Sequence, residues 1–306
     1  MKKTAFLFAG QGAQYPGMGR SLYEASPAAR AVFDMGERLR PGTLDLCFAG
    51  NAAALSLTEN TQPCLFLTDL ACARAAVEAG VTPVAAAGFS LGEIAALAFC
   101  GVLSDEDAFR LVCRRGEAMA ACAAETPGGM AAILKLEDAV VEELCRGAGE
   151  VYPVNYNSPG QIACAGTVEG VDALIAAAKT AGGRAVRLNV SGAFHTPFME
   201  KAGCVLREIL SGMEIHAPQI PLYANRTACP YPAHREGIAA LIGEQVCHSV
   251  LWKQTVLALD AAGVETYLEV GAGKTLCGLV GRTLPGASVL HLGEADELDA
   301  LKGGLV

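Results

Sequence analysis

Apolar residues fall into two kinds of run along this chain. Some are short, continuous and of strand length, bounded by Gly or Pro. Others carry their apolar residues at helical spacing. Thr4–Ala9 (TAFLFA) predicts a strand that ends in a glycine-rich loop, GQGAQ. Pro63–Gly80 predicts a helix with Pro in its first turn and Gly at its end. Pro83–Gly88 (PVAAAG) is wholly apolar, as a strand inside a parallel sheet is. A helix over Leu91–Cys100 follows at once and stops at Gly101. Ser104, Asp105, Glu106 and Asp107 open another helix with a capping hydroxyl and an acidic first turn.

The middle of the chain has a different rhythm. It predicts a strand at Met130–Lys135, a helix at Glu137–Arg146 and a strand at Val151–Asn155. After an NSPG turn come a strand at Gln161–Ala165, a helix at Val168–Ala181 and a strand at Arg184–Val190. The order β-α-β-β-α-β is ferredoxin-like. Gly128, Gly129 and Gly192 punctuate its ends. The expected organisation is a small subdomain, residues 128–193, inserted in a larger α/β body of residues 1–127 and 194–306. Strands near Ile220–Ala224, Thr266–Val270 and Ser288–Leu292 complete that body.

Composition agrees with a large buried core: 52% of residues are hydrophobic and only 18% charged, which argues against disorder. A formal charge of −9 and the lack of any Lys/Arg run argue against nucleic-acid binding. No apolar run reaches the length of a membrane span. Lys2 and Lys3 precede the apolar stretch Ala5–Ala9, but that stretch is too short for a secretory signal. Twelve Cys without a C-x-x-C pair predict reduced thiols in a cytoplasmic protein, not a disulfide frame or a zinc site.

Candidate chemistry begins at GFSLGE, residues 88–93. Strand, Gly-x-Ser-x-Gly, then helix is the setting of a nucleophile elbow, in which a sharp turn pushes the Ser90 hydroxyl outward. Gly88 and Gly92 let strand and helix approach closely. The N–H of Leu91 is the natural first oxyanion donor. The plainer alternative is a serine in an ordinary glycine-rich turn. A nucleophilic serine needs a base. Of five His, His291 lies in an apolar strand, His216 and His234 in Pro-rich connections, and His248 near a helix end. His195 lies after a strand and a Gly, where the chain returns from the insertion to the body, and is the preferred base.

The helix after Ser104 carries an apolar stripe of Ala108, Leu111, Val112, Ala118, Met119 and Cys122. Arg115 falls on that stripe, while Arg110 and Arg114 face outward. An inward arginine needs an anionic partner. That partner is either a structural carboxylate or a substrate carboxylate held in a two-pronged grip. Two other motifs fail. GQGAQY lacks the sixth Gly of a dinucleotide loop, and GAGKT (271–275) has Leu268 where a phosphate loop requires Gly. GAGKT is more simply a strand-to-helix turn.

Taken together, FAGQGAQYPGMG (8–19), GFSLGEIAAL (88–97), RRGEAM (114–119), NYNSPGQIACAG (155–166), GAFHTPFM (192–199), EQV (244–246) and LEVGAGKTLCGL (268–279) resemble one family. Over nearly its whole length the chain is similar to the malonyl-CoA:acyl carrier protein transacylases of fatty-acid synthesis. The resemblance implies an α/β-hydrolase-like parallel-sheet body with an inserted ferredoxin-like (βαββαβ) subdomain. It implies that Ser90 is acylated and that His195 serves as base and then acid. The N–H groups of Gln11 and Leu91 would form the oxyanion hole, and Arg115 would hold the free malonyl carboxylate. The backbone carbonyl of Gln245 would orient the histidine. Asn155 matches a position near the pantetheine channel, and Phe194 resembles the form of malonyl-selective members.

The resemblance implies no permanently bound cofactor. Malonyl-CoA and the phosphopantetheine of acyl carrier protein would be substrates, acyl carrier protein the partner, and the chain a monomer. The alternatives are an acyltransferase serving a polyketide carrier, a serine esterase or thioesterase on the same elbow, and a catalytically weak docking protein. Three departures from the family pattern stand out: Phe89 stands where His is usual, Ala9 where Pro is common, and Cys247, His248 and Ser249 replace a more usual Asn/Ser-Pro pair.

Overall fold

A computed structural model describes residues 2–190 and 192–304. Met1, Ser191, Leu305 and Val306, which the expected division of the chain includes, lie outside the described residues. β1 (Thr4–Phe8) is buried at every position, as a central strand covered on both faces must be. It pairs in parallel with β2 (Pro83–Gly88) on one side and β8 (Thr266–Val270) on the other. β7 (Leu222–Tyr223) extends the sheet beyond β2, and β9 (Ser288–Leu292) beyond β8. The order is β7-β2-β1-β8-β9, all parallel. Alternation along each strand supplies two cores. Phe6, Phe8 and Ala86 face one layer, and Ala5, Leu7, Ala85 and Ala87 face a layer built on Trp252.

β3 (Gly129–Leu134), β4 (Val151–Ser158), β5 (Gln161–Gly166) and β6 (Arg184–Arg187) form a separate antiparallel sheet in the order β4-β5-β3-β6. The helices Asp138–Gly147 and Val168–Thr180 pack on it over a core of its own. This is the ferredoxin-like arrangement on an α/β-hydrolase-like body. The small sheet is tied to the body where the N–H of Val250, in a connection ahead of the helix Trp252–Ala261, donates to the carbonyl of Val154 and the N–H of Tyr156 donates back to Val250.

The clearest differences from expectation lie in three elements. β4 runs on to Ser158, beyond the expected end at Asn155 and into the NSPG turn. The helix expected from Pro63 runs over Thr58–Glu78, with Pro63 inside it. Pro63 cannot donate to the residue-59 carbonyl, yet the turns before it are held by burial of Thr58, Thr61 and Gln62, so tertiary packing carries the helix back past its expected start. The last strand of the insertion ends at Arg187, not Val190. Leu188 still bonds Met130, but the N–H of Val190 turns back to the Leu188 carbonyl and leaves the ladder.

Candidate active site

Ser90 stands between β2 and the helix Leu91–Phe99 with φ 52° and ψ −102°. A non-glycine residue held at such a backbone costs on the order of 1–3 kcal/mol and persists only where its surroundings enforce it. The enforcement is visible. A Cβ on Gly88 would lie 2.0 Å from the Gly92 carbonyl carbon, and one on Gly92 would lie 2.2 Å from the Phe8 oxygen. Asn225, just beyond β7, clamps the same turn. Its Oδ1 accepts the Ser90 N–H at 2.7 Å and its Nδ2 donates to the Gly88 carbonyl at 2.5 Å.

His195 lies 2.7 Å through Nε2 from the Ser90 hydroxyl. Its backbone also takes a left-handed φ, 62°. Nδ1 is 3.1 Å from each of two backbone carbonyls, those of Gln245 and His248. Carbonyls only accept, so Nδ1 carries the proton and Nε2 is bare toward the serine. Burial, and then the neighbouring Arg115, push the imidazole down to about 4, opposed by the two carbonyls. The ring is therefore a neutral proton acceptor at physiological pH. His248 contributes its backbone; its own ring is turned to the Glu244 carbonyl.

Arg115 is only 1% exposed on the helix Asp105–Glu125. Nη2 donates to the Ser90 hydroxyl at 3.1 Å and to Gln245 Oε1 at 2.8 Å, while Nη1 donates to Gln62 Oε1 at 2.8 Å. Nε is buried without a partner among the described residues. Burial pushes the guanidinium down to about 10, opposed by Glu93, so it keeps its charge at neutral pH. With Arg115 donating into one lone pair of Ser90 Oγ, the serine proton points to His195. Arg110 and Arg114 instead lie on the surface, paired with Glu106, Asp107 and Glu117.

Leu91 opens its helix, so its N–H has no intrahelical acceptor. A cavity of about 110 Å³ in front of Ser90 and His195 is lined by Gln11, Phe89, Asn155, Leu188, Val190 and Phe194, among others. Asn155 Oδ1 is buried there without a partner among the described residues. Leu188 and Val190 reach this lining because β6 stops short. Gln11, Val190 and Phe194 also line a second cavity of about 360 Å³ that runs past Gln14 and Thr58. Phe89 packs edge-on against Trp252, with ring centroids 5.4 Å apart.

Sequence reasoning missed four members of this constellation: Gln62, Asn225, Glu93, which accepts from the Gln245 amide, and Tyr231, whose hydroxyl donates to Glu93. Glu93 was detectable as the one charged residue in LGEIAALAF. Asn225 follows a strand end, a common place for function in parallel sheets. Gln62 was hidden by the misplaced helix start. Among the described residues, no group of three or more His, Cys, Asp and Glu is arranged to hold a metal ion, and no helix is long and apolar enough to cross a membrane.

A parallel sheet of this kind, with a Ser–His pair beside the C-terminal end of β2 and, among the described residues, no carboxylate bonded to the histidine, places the chain among the α/β-hydrolase-like proteins. A profile for the acyl transferase domain matches residues 5–292. The chain belongs to that acyl transferase family. It is 40% identical to the malonyl CoA-acyl carrier protein transacylase of Bacillus subtilis, over 92% of this chain and 90% of the relative. The structure of the corresponding transacylase from Coxiella burnetii superposes with a TM-score of 0.95 at 31% identity, covering 98% of this chain and 97% of that one. A malonyl-transacylase solved in complex with its type II polyketide acyl carrier protein gives a TM-score of 0.94 at 33% identity, over 98% and 99% of the two chains.

Proposed function

We propose that this protein is an S-malonyltransferase that moves a malonyl group from malonyl-CoA to the phosphopantetheine thiol of acyl carrier protein for fatty-acid synthesis. Ser90 Oγ attacks the thioester carbonyl and its proton passes to His195 Nε2. The carbon–sulfur bond breaks and the departing CoA sulfur takes that proton. In the second half, His195 takes the proton of the pantetheine thiol, the sulfur attacks the malonyl ester, and Ser90 Oγ leaves with the proton. The N–H groups of Gln11 and Leu91 hold the oxyanion, and the Gln245 carbonyl keeps the imidazole in the required tautomer. The wider cavity past Gln14 admits the pantetheine arm, with Asn155 Oδ1 as an acceptor for one of its amides. Phe194 narrows the channel beside the reacting carbon.

The observation that carries this reading is Arg115 at 3.1 Å from the Ser90 hydroxyl. A permanent, buried cation beside the nucleophile favours an acyl group that brings a negative charge of its own. A simple esterase has no use for it. The relatives named above act on malonyl groups, which agrees. A second reading, supply of a polyketide carrier, is favoured by the likeness to a transacylase solved with such a carrier. We further propose that residues 1–127 and 194–306 act as the catalytic body and 128–193 as a small subdomain closing over it, and that the protein works as a soluble cytoplasmic monomer without a bound cofactor.

Mixing with malonyl-CoA and measuring intact mass tests the assignment. A malonyl adduct on Ser90, absent from Ser90→Ala, is expected. Equal labelling of both proteins would sink it, and fast hydrolysis without transfer to acyl carrier protein would make it a thioesterase. Transfer to purified fatty-acid and polyketide carriers separates the two carrier readings.

A further inference from the structure

Behind the site lies a carboxylate that the transfer steps do not use. Glu93 is 1% exposed, in the first turn of the helix that begins after Ser90. Its Oε1 accepts from the Tyr231 hydroxyl at 2.6 Å and from the Asn225 N–H at 3.2 Å. Its Oε2 accepts from Gln245 Nε2. The same Gln245 carboxamide accepts from Arg115 on its oxygen, and its Nε2 also donates to the Ser90 carbonyl at 2.7 Å. One amide thus stands between Glu93 and Arg115, and Arg115 has no direct ion pair among the described residues.

The charge balance is the point of interest. In the empty site Glu93 and Arg115 neutralise each other across Gln245. An acyl group that ends in a carboxylate places a second anion on the same guanidinium. Two carboxylates sharing one buried cation do not both remain ionised easily, because the second charge is repelled by the first and is poorly solvated. We propose that Glu93 is an exchangeable counter-charge of Arg115: ionised while the pocket is empty or holds an uncharged acyl group, and protonated when Ser90 carries an acyl chain that ends in a carboxylate. This rests on malonyl transfer through Ser90.

Several features favour the exchange. Burial already pushes Glu93 up to about 7, offset by the bonds from Tyr231, Gln245 and the Asn225 N–H and by Arg115. It is therefore poised where a modest added repulsion changes its state. The Tyr231 hydroxyl is driven far above its ordinary range, by burial first and then by Glu93, so it stays protonated and does not compete for the charge. A hydroxyl both donates and accepts, so Tyr231 can turn to accept the new Glu93 proton without leaving a buried atom unpaired. His195 is the other titrating group near Arg115, and the test must separate it from Glu93. The exchange gives an anionic acyl group a site with no net penalty of unpaired charge, while an acetyl group leaves the Glu93–Arg115 pair as it was.

The test is a proton count on the full chain. Weakly buffered protein at pH 8 is mixed with malonyl-CoA or acetyl-CoA, proton uptake is read with an indicator dye, and the Ser90 adduct is quantified by mass. Release from the CoA thiol is common to both and is subtracted. Wild type is expected to take up about 0.5–1 proton per malonyl adduct and close to none per acetyl adduct. Glu93→Gln, followed to the same extent of malonylation, is expected to take up none. Uptake in Glu93→Gln equal to wild type would place the proton on His195 or elsewhere and overturn the proposal, as would a malonyl adduct in wild type without uptake. Tyr231→Phe gives an independent check, since losing its bond to ionised Glu93 moves the onset of uptake to higher pH; an unmoved onset counts against the proposal. An absent malonyl adduct overturns malonyl transfer itself, and the exchange with it.

Discussion

Arg115 donates through Nη2 to the hydroxyl of Ser90 at 3.1 Å, so the cation proposed to hold the acyl carboxylate touches the atom proposed to receive the acyl group. Replacing Arg115 with Ala is expected to reduce malonyl transfer far more than acetyl transfer. Truncating one partner of a buried charge pair costs on the order of 2–5 kcal/mol, or roughly 30-fold to several thousandfold in kcat/KM. Arg115→Lys is expected to restore little, since an ammonium lacks the planar fork that now spans Gln62, Gln245 and Ser90. Parallel kcat/KM measurements with the two acyl-CoAs decide the matter; equal losses would mean that Arg115 is structural.

Asn225 holds both sides of the Ser90 turn. Asn225→Ala leaves the part-buried Ser90 N–H and the buried Gly88 carbonyl without this partner, at about 1–3 kcal/mol for the buried carbonyl and less for the N–H. A lower Tm together with a lower kcat is expected. An unchanged melting curve would show that strand and helix alone enforce the serine geometry.

Glycine at 88 and 92 is a matter of space. Gly88→Ala sets a methyl group 2.0 Å from the Gly92 carbonyl carbon, so neither backbone can stay where it is. Loss of soluble folded protein, or a large fall in Tm by circular dichroism, is expected. Gly147→Ala, where nothing lies within 4 Å of the added carbon, serves as the control and is expected to fold normally.

The pH behaviour follows from two buried groups of opposite sign. His195 is lowered to about 4, so kcat/KM for malonyl-CoA should show no acid limb near the ordinary histidine value of 6.5. Its stability contribution is present above 6.5 and is lost as pH falls through 4. Glu93 is raised from 4.5 to about 7, so its contribution is present below 4.5 and is lost as pH rises through 7. Glu93→Gln removes that second dependence. Urea unfolding at pH 5, 6 and 7.5 should find the variant gaining on wild type as pH rises, by up to roughly 3 kcal/mol. A pH-independent difference would contradict the assignment.

Phe89 stacks edge-on with fully buried Trp252 and lines the cavity in front of Ser90. Phe89→Ala is expected to lower Tm through lost packing, with a loss of about 1–3 kcal/mol since the ring is only partly buried, while changing Ser90 malonylation less than tenfold. Single-turnover acylation alongside a thermal melt checks this; a larger rate effect at unchanged stability would make Phe89 a participant in the chemistry.

Local pattern carried much of this protein in legible form. The wholly apolar β2, the elbow GFSLGE, the Ser104 cap and the βαββαβ order of the insertion are all short-range consequences of residue type and spacing. Arg115 was readable because a charge on an apolar helical stripe stands out. Helix and strand ends were less legible. Pro63 marked a helix start that packing moved back to Thr58, and β6 ended early where Leu188 and Val190 turned toward the cavity.

From the sequence alone come the elements, the inserted subdomain, the serine turn and the inward arginine, because each depends on neighbours along the chain. Only tertiary structure brings Gln62, Glu93, Asn225, Tyr231 and Gln245 to the Ser90 turn and seats His195 beneath two backbone carbonyls. Those contacts join residues up to 155 positions apart, between Ser90 and Gln245. They are set by how the parallel sheet stacks its strand ends and by the need to pair most of the polar groups buried there, which no local periodicity records.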